Sequence, residues 1–191
     1  MKALEERIYN EGVIINNDIL KVDCFLNHQI DPLLIDDLAL DIINFFKDKK
    51  IDKVFTIETS GIAIAYAVAR VLRVPIVFAK KSKSATVGND VYTTEIKSFT
   101  RNTISKVTVA NKYLNEGENI LIVDDFLAEG NAALGLIDLC NQGKANVIGF
   151  ATAIEKGFQG GRKRIEEKGI KVYSGAIIKE FKDNKPVFEK K

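Results

Sequence analysis

Two hydrophobic periods alternate along the chain. Residues 3–12 carry Leu4 and Ile8, with Val13 following and charges between, which predicts a short amphipathic helix ended by Gly12. Ile19 to Phe25 alternates roughly as a strand. Pro32 opens a longer helix whose apolar stripe is Ile35, Leu38, Ile42, Phe45 and Phe46, closing in Lys47, Lys49 and Lys50. Short continuous apolar runs then take over at Lys53–Ile57, Pro75–Ala79, Ile120–Val123, Val147–Ile154 and Lys171–Ile178. Helical patterns separate them at Gly61–Leu72, about Asn131–Cys140 and the charged Gln159–Lys168. Uninterrupted apolar strands alternating with helices predict an α/β fold, a parallel sheet covered on both faces. The rhythm breaks between Ala79 and Ile120. There Lys80 to Asn89 is polar, and Thr93 to Ala110 alternates like a two-stranded ribbon around Arg101 and Asn102. A long polar insertion in a compact domain reads as a cover or a disordered segment.

The bulk numbers narrow the class without changing this picture. At 191 residues the chain can bury one sizeable core, and with neither repeat nor linker it reads as a single domain, 1–191. A net charge of +2, with no basic block, argues against nucleic-acid or membrane partners. No apolar run approaches a membrane span and no leader pattern opens the chain, so a cytoplasmic protein is expected. Cys24 and Cys140 have no partner at metal-like spacing and read as small buried residues of a reducing compartment.

The candidate chemistry lies in ILIVDDFLAEGNAA, Ile120 to Ala133. In an open α/β sheet, ligands gather at the carboxyl ends of the strands, where Asp124 and Asp125 would emerge. Carboxylates there can accept hydrogen bonds from ribose hydroxyls or hold a divalent ion. The next turn contains Ala128 and Gly130 and leads into a helix. Small residues admit an anion close to the backbone, and free N–H groups at a helix start favour phosphate. Together these features point to a phosphorylated ribose. Two rival readings remain: the aspartates as plain helix caps, and the receiver domains that also open on ILIVDD. Only 66 residues (191 − 125) follow Asp125, too few for the rest of a receiver sheet.

A second turn, Glu58 to Ile62 (ETSGI), joins a strand to a helix and offers Thr59, Ser60 and Gly61 as backbone donors and hydroxyls, or Ser60 as a simple cap. Taken in order, LKVDCFLNHQIDP, FTIETSGIAIA, FLAEGNAA and EKGFQGGR resemble the type I phosphoribosyltransferases. With Ala128 in place of the more usual threonine or serine, the third segment resembles the xanthine branch of that family. The resemblance implies a central parallel sheet, a small N-terminal hood over about 1–35, and a mobile loop and ribbon over about 80–110. It implies transfer of 5-phosphoribosyl from phosphoribosyl pyrophosphate (PRPP) to xanthine by a homodimer, with magnesium arriving through PRPP and no metal ligand set on the chain.

The resemblance also assigns roles. Asp124 and Asp125 would orient the ribose, and Ala128, Glu129, Gly130, Asn131 and Ala132 would bind its 5′-phosphate. Thr59, Ser60 and Gly61 would hold pyrophosphate in a loop often marked by unusual peptide geometry. Among Lys80, Lys81 and Lys83, Lys81 is favoured as the basic contact from the cover. Leu20 would pack on the purine, Asn27 would hydrogen-bond it and Lys156 would face its oxygens. Phe158 would either stack on it or fill the core. His28 reads as a lone surface histidine. Two positions depart from the pattern: Gly157 stands where serine is expected and Glu129 where asparagine is expected. A carboxylate beside phosphate is unfavourable unless it turns to solvent. Nearby alternatives are a transferase for another base and a PRPP-sensing regulator. For a regulator, the 18 residues before Ile19 are too few to form a winged helix.

Overall fold

A computed structural model describes residues 1–81, 90–98 and 103–189. Its elements are α1 (Lys2–Glu11), β1 (Val13–Ile15), β2 (Ile19–Lys21), α2 (Pro32–Phe45), β3 (Lys53–Ile57), α3 (Gly61–Leu72), β4 (Ile76–Ala79), β5 (Val91–Ser98), β6 (Thr103–Ala110), β7 (Asn119–Leu127), α4 (Asn131–Gln142), β8 (Asn146–Lys156), α5 (Gly161–Glu166), β9 (Val172–Lys182) and β10 (Lys185–Phe188). The central sheet has six strands in the order β10-β9-β8-β7-β3-β4. All neighbours are parallel except β10, which pairs antiparallel with β9 at the edge.

Both faces of this sheet are covered, as its continuous apolar strands require. One face, with Val54, Leu121, Val123, Ala151 and Ala176, packs under α1, α2 and α3. The other, with Phe55, Ile57, Ile120, Ile122 and Phe150, packs under α4, α5 and the β5–β6 ribbon. Helix α2 starts where proline and aspartate place it: Asp31 accepts from the N–H groups of Leu33 (3.1 Å) and Leu34 (3.2 Å), with Pro32 in the first turn.

Four expectations need correction. Helix α2 ends at Phe45, before the lysines, and Phe45 is exposed, edge-on to Phe46. The Ile19–Phe25 strand stops at Lys21, and Asp23–Asn27 winds as a π-helical turn that faces Cys24 outward; its thiol is therefore exposed, and only Cys140 is buried. The helix expected over Gln159–Lys168 covers only Gly161–Glu166, because Gly160 adopts φ +75° before it. Finally, β9 continues past Ile178 into a hairpin through Asp183 and Asn184, both at positive φ, which matches the twist of the flanking strands. The ribbon strands lie where alternation placed them. Its tip at Arg101 and Asn102, and Lys83 in the loop before it, fall outside the described residues.

Candidate active site

The predicted site residues meet along the carboxyl ends of β3, β7 and β8. Strand β7 runs further than its apolar stretch: Asp124 pairs with Thr152 of β8 and Phe126 with Ile154, so the acidic pair lies within the strand. Asp124 is buried, 6% exposed, and its Oδ1 accepts from the Asp125 N–H at 2.9 Å. Burial, with the Asp125 charge next to it, raises the Asp124 carboxyl well above the usual carboxylate range, while Lys81 opposes the shift. Asp125 is partly buried, and its Oδ2 accepts from the Asn27 amide at 3.2 Å. The turn at Asp23–Asn27 and the acidic pair are therefore in direct contact.

On the β3 side the peptide between Glu58 and Thr59 is cis, the unusual geometry that the resemblance implies for this loop. Ser60 makes no side-chain cap to α3, which removes the cap-only reading; within this turn the Ile62 N–H donates to the Thr59 carbonyl at 3.2 Å. Gly61 is tightly enclosed. A Cβ built on it would stand 2.3 Å from Thr56 Oγ1 and 2.8 Å from Asp124 Oδ1, so the helix start rests directly on the acid. Glu58 accepts from the Lys81 N–H at 2.6 Å, tying this loop to the chain leaving β4.

The turn after β7 reaches α4 through Gly130 at φ +82°, which a residue with a Cβ rarely adopts. Ala128 and Glu129 precede it, and Asn131 and Ala132 begin the helix. Glu129 is partly buried rather than turned to solvent, and its Oε2 accepts from the Asn131 amide at 3.1 Å. At the end of β8, Lys156 donates to the carbonyl of Asp18 at 2.7 Å and sits 5.8 Å from the Phe181 ring. Burial lowers its pKa by disfavouring the ammonium. Phe158 is 47% exposed, edge-on to Phe181, so it does not fill the core. Leu20, on β2, is buried in the core, while Asn27 and His28 are exposed.

Several structural partners carried no obvious signal in the sequence. Glu155, beside Lys156, is buried and paired with Arg162 (2.6 Å) and Ser174. Thr56 is wholly buried, and its hydroxyl has no hydrogen-bond partner among the described residues. Arg164 reaches back to the 128–132 turn. An acid at the end of an apolar strand was the one available hint for Glu155; Arg164 looks like any charge on a short surface helix.

The acidic pair is a poor holder of a metal ion by itself. Its hard oxygens fit the ion, but one carboxyl is buried and the other is engaged by Asn27. Among the described residues no cluster of three or more His, Cys, Asp or Glu side chains could hold a metal.

Residues 22–184 match the phosphoribosyl transferase domain family. The chain is 49% identical to the xanthine phosphoribosyltransferase of Finegoldia magna over 189 residues, covering 99% of this chain and all of that protein. It is 51% identical to that of Clostridioides difficile over 179 residues, 93% and 94% of the two chains. In fold it is similar to the adenine phosphoribosyltransferase of Giardia lamblia complexed with 9-deazaadenine, with TM-score 0.75, 21% identity, and 91% and 96% coverage. The adenine phosphoribosyltransferase of Rhodothermus marinus gives TM-score 0.75 at 18% identity, with 93% and 100% coverage. The fold, the acidic pair and these likenesses agree: the chain belongs to the phosphoribosyltransferase family.

Proposed function

We infer that the chain transfers the 5-phosphoribosyl group of PRPP to N9 of xanthine, giving xanthosine 5′-monophosphate and pyrophosphate, as a step of purine salvage. The observation that carries this reading is the acidic pair at the end of β7, where Asp124 lies against the start of α3 at Gly61 and the chain runs on through Gly130 into α4. Acids next to helix starts suit a ribose that carries anionic groups. The full-length likeness to enzymes named xanthine phosphoribosyltransferase supports the choice of base.

In this reading Asp124 and Asp125 hold the ribose hydroxyls and add negative potential near C1 as it gains oxocarbenium character. Thr59, Ser60 and Gly61 receive the departing pyrophosphate, with Lys81 adding positive charge. Residues 128–132 anchor the 5′-phosphate. Lys156 has only donors to offer, so it suits the oxygens of an oxopurine and disfavours the amino group of adenine. Asn27 adds a hydrogen bond to the base, Leu20 backs it, and Phe158 lies against its open face. Magnesium, bound through PRPP, would neutralise charge on the leaving group. Catalysis rests on positioning and electrostatics, and exclusion of water protects the activated sugar. We place the enzyme in the cytoplasm as a homodimer without nucleic-acid or membrane partners; no helix among the described residues is long and apolar enough to cross a membrane.

The test is turnover of the purified protein with PRPP, magnesium and a panel of free bases. Xanthine should give the highest kcat/KM. A clear preference for hypoxanthine or guanine would move the assignment to another oxopurine, and absence of turnover with every base would overturn it.

A further inference from the structure

The turn from Ala128 to Ala132 is held from one side by α5. The Ala128 carbonyl accepts from the Gly161 N–H at 3.0 Å, and the Glu129 carbonyl accepts from the Arg164 guanidinium at 2.5 Å. In a trans peptide the C=O and the following N–H point opposite ways. Two successive carbonyls turned toward α5 therefore aim the N–H groups of Glu129 and Gly130 away from it. Neither N–H has a partner among the described residues. Successive backbone donors facing one side make a concavity for an anion.

The side chains extend the clamp. The same Arg164 nitrogen donates to Asn131 Oδ1 at 2.8 Å, while the Asn131 amide nitrogen donates to Glu129 Oε2 (3.1 Å) and to the Lys97 carbonyl on β5 (3.3 Å). A guanidinium can only donate, and a carboxylate or carbonyl can only accept, so the amide fits in one orientation. Glu129 thus fills a place in a bonded set instead of facing the phosphate as a free charge.

Taking residues 128–132 as the 5′-phosphate turn, we propose that Arg164 is a positioning residue for that turn, aiming its backbone donors at the anion and accommodating the acid at position 129. Arg164 touches neither substrate; it acts through the carbonyl of Glu129 and the side chain of Asn131. The effect should fall on the 5′-phosphate alone, because pyrophosphate is received by the separate turn at 58–61.

The full chain and its Arg164→Met and Arg164→Lys variants should be titrated with ribose 5-phosphate and, separately, with pyrophosphate and magnesium by calorimetry. Urea midpoints should be measured alongside. Loss of a charge-assisted clamp should weaken ribose 5-phosphate about tenfold in Arg164→Met while pyrophosphate stays within about twofold. Lysine, which keeps one cationic donor, should recover part of the loss. Unchanged ribose 5-phosphate affinity in Arg164→Met would overturn the proposal. Equal losses for both ligands with a lowered urea midpoint would also overturn it, by showing a general structural role. A parent chain that binds pyrophosphate but not ribose 5-phosphate would instead refute the reading of the turn itself, and the proposal with it.

Discussion

Replacing Gly61 with alanine tests whether the start of α3 and the acidic pair are one mechanical unit. The added Cβ would stand 2.3 Å from Thr56 Oγ1 and 2.8 Å from Asp124 Oδ1. An ordinary carbon–oxygen contact is about 3.3 Å, so the overlaps are roughly 1 Å and 0.5 Å. Neither neighbour has room to retreat, since Thr56 is wholly buried and Asp124 nearly so. Overpacking of this kind costs about 1–3 kcal/mol. Against it stands the helix preference of alanine over glycine, at most about 1 kcal/mol and less at a first helical position. The balance is a net loss of about 1 kcal/mol, visible as a modest fall in the urea midpoint.

Activity should respond far more. Displacing a positioning carboxylate by half an ångström or more removes alignment that can be worth about 100-fold. Steady-state turnover of Gly61→Ala should therefore fall by about 10- to 100-fold in kcat/KM for PRPP. The double variant Gly61→Ala with Thr56→Ala separates the two overlaps. It removes the worse clash, so part of the stability lost to overpacking should return, but the contact with Asp124 remains and activity should stay low. Wild-type kcat/KM in Gly61→Ala, or full recovery of activity in the double variant, would refute the argument.

Three further outcomes follow from the same structure. Asp124→Asn should abolish most turnover yet raise the urea midpoint at neutral pH, because burial and Asp125 raise the Asp124 pKa. A carboxyl whose folded pKa lies above its unfolded value destabilises the fold above the folded pKa, and the penalty fades as pH falls toward the unfolded value near 4. The advantage of the variant should therefore shrink on acidification, and an advantage that grows instead would sink the assignment. Arg162→Met should cost about 3 kcal/mol in chemical denaturation, because it strands the buried Glu155 carboxylate; pairing it with Glu155→Gln should recover a large part. Thiol titration of the native chain should modify exposed Cys24 quickly and leave Cys140, whose pKa burial raises to about 12, unreacted until denaturant is added; two fast thiols would contradict this.

What the chain discloses by itself depends on how local the cause is. The strands of the sheet were legible because burial on both faces demands unbroken apolar runs, and α2 because Pro32 opens it and its apolar stripe repeats at helical spacing. Asp124 and Asp125 read as residues just beyond a strand end and not as strand, since parallel pairing with Thr152 and Ile154 carries β7 through two charges that no propensity would place there. The hairpin at Asp183 and Asn184 did have a local signal, adjacent turn formers between apolar stretches, although charges on both sides obscured the flanking strands. Cys24 failed for the opposite reason: a seven-residue alternation resembled a strand, but pairing to β1 ends at Lys21.

Glu129 marks the limit of local reading. Within its own turn it is an acid beside a predicted phosphate, an electrostatic conflict that sequence spacing can only record. Arg164 lies 35 residues away, on a helix of six residues, between exposed Lys163 and Glu166. Only the sheet order, which brings the chain after β8 back against the end of β7, places that guanidinium on the Glu129 carbonyl. The acid and its counterweight were both visible as letters; their relation is a product of topology. If so, Glu129→Gln, which keeps an acceptor for the Asn131 amide but removes the negative charge, should leave the urea midpoint unchanged and tighten ribose 5-phosphate binding by a few-fold. Weaker binding would mean that the charge itself, and not its place in the bonded set, is what the turn requires.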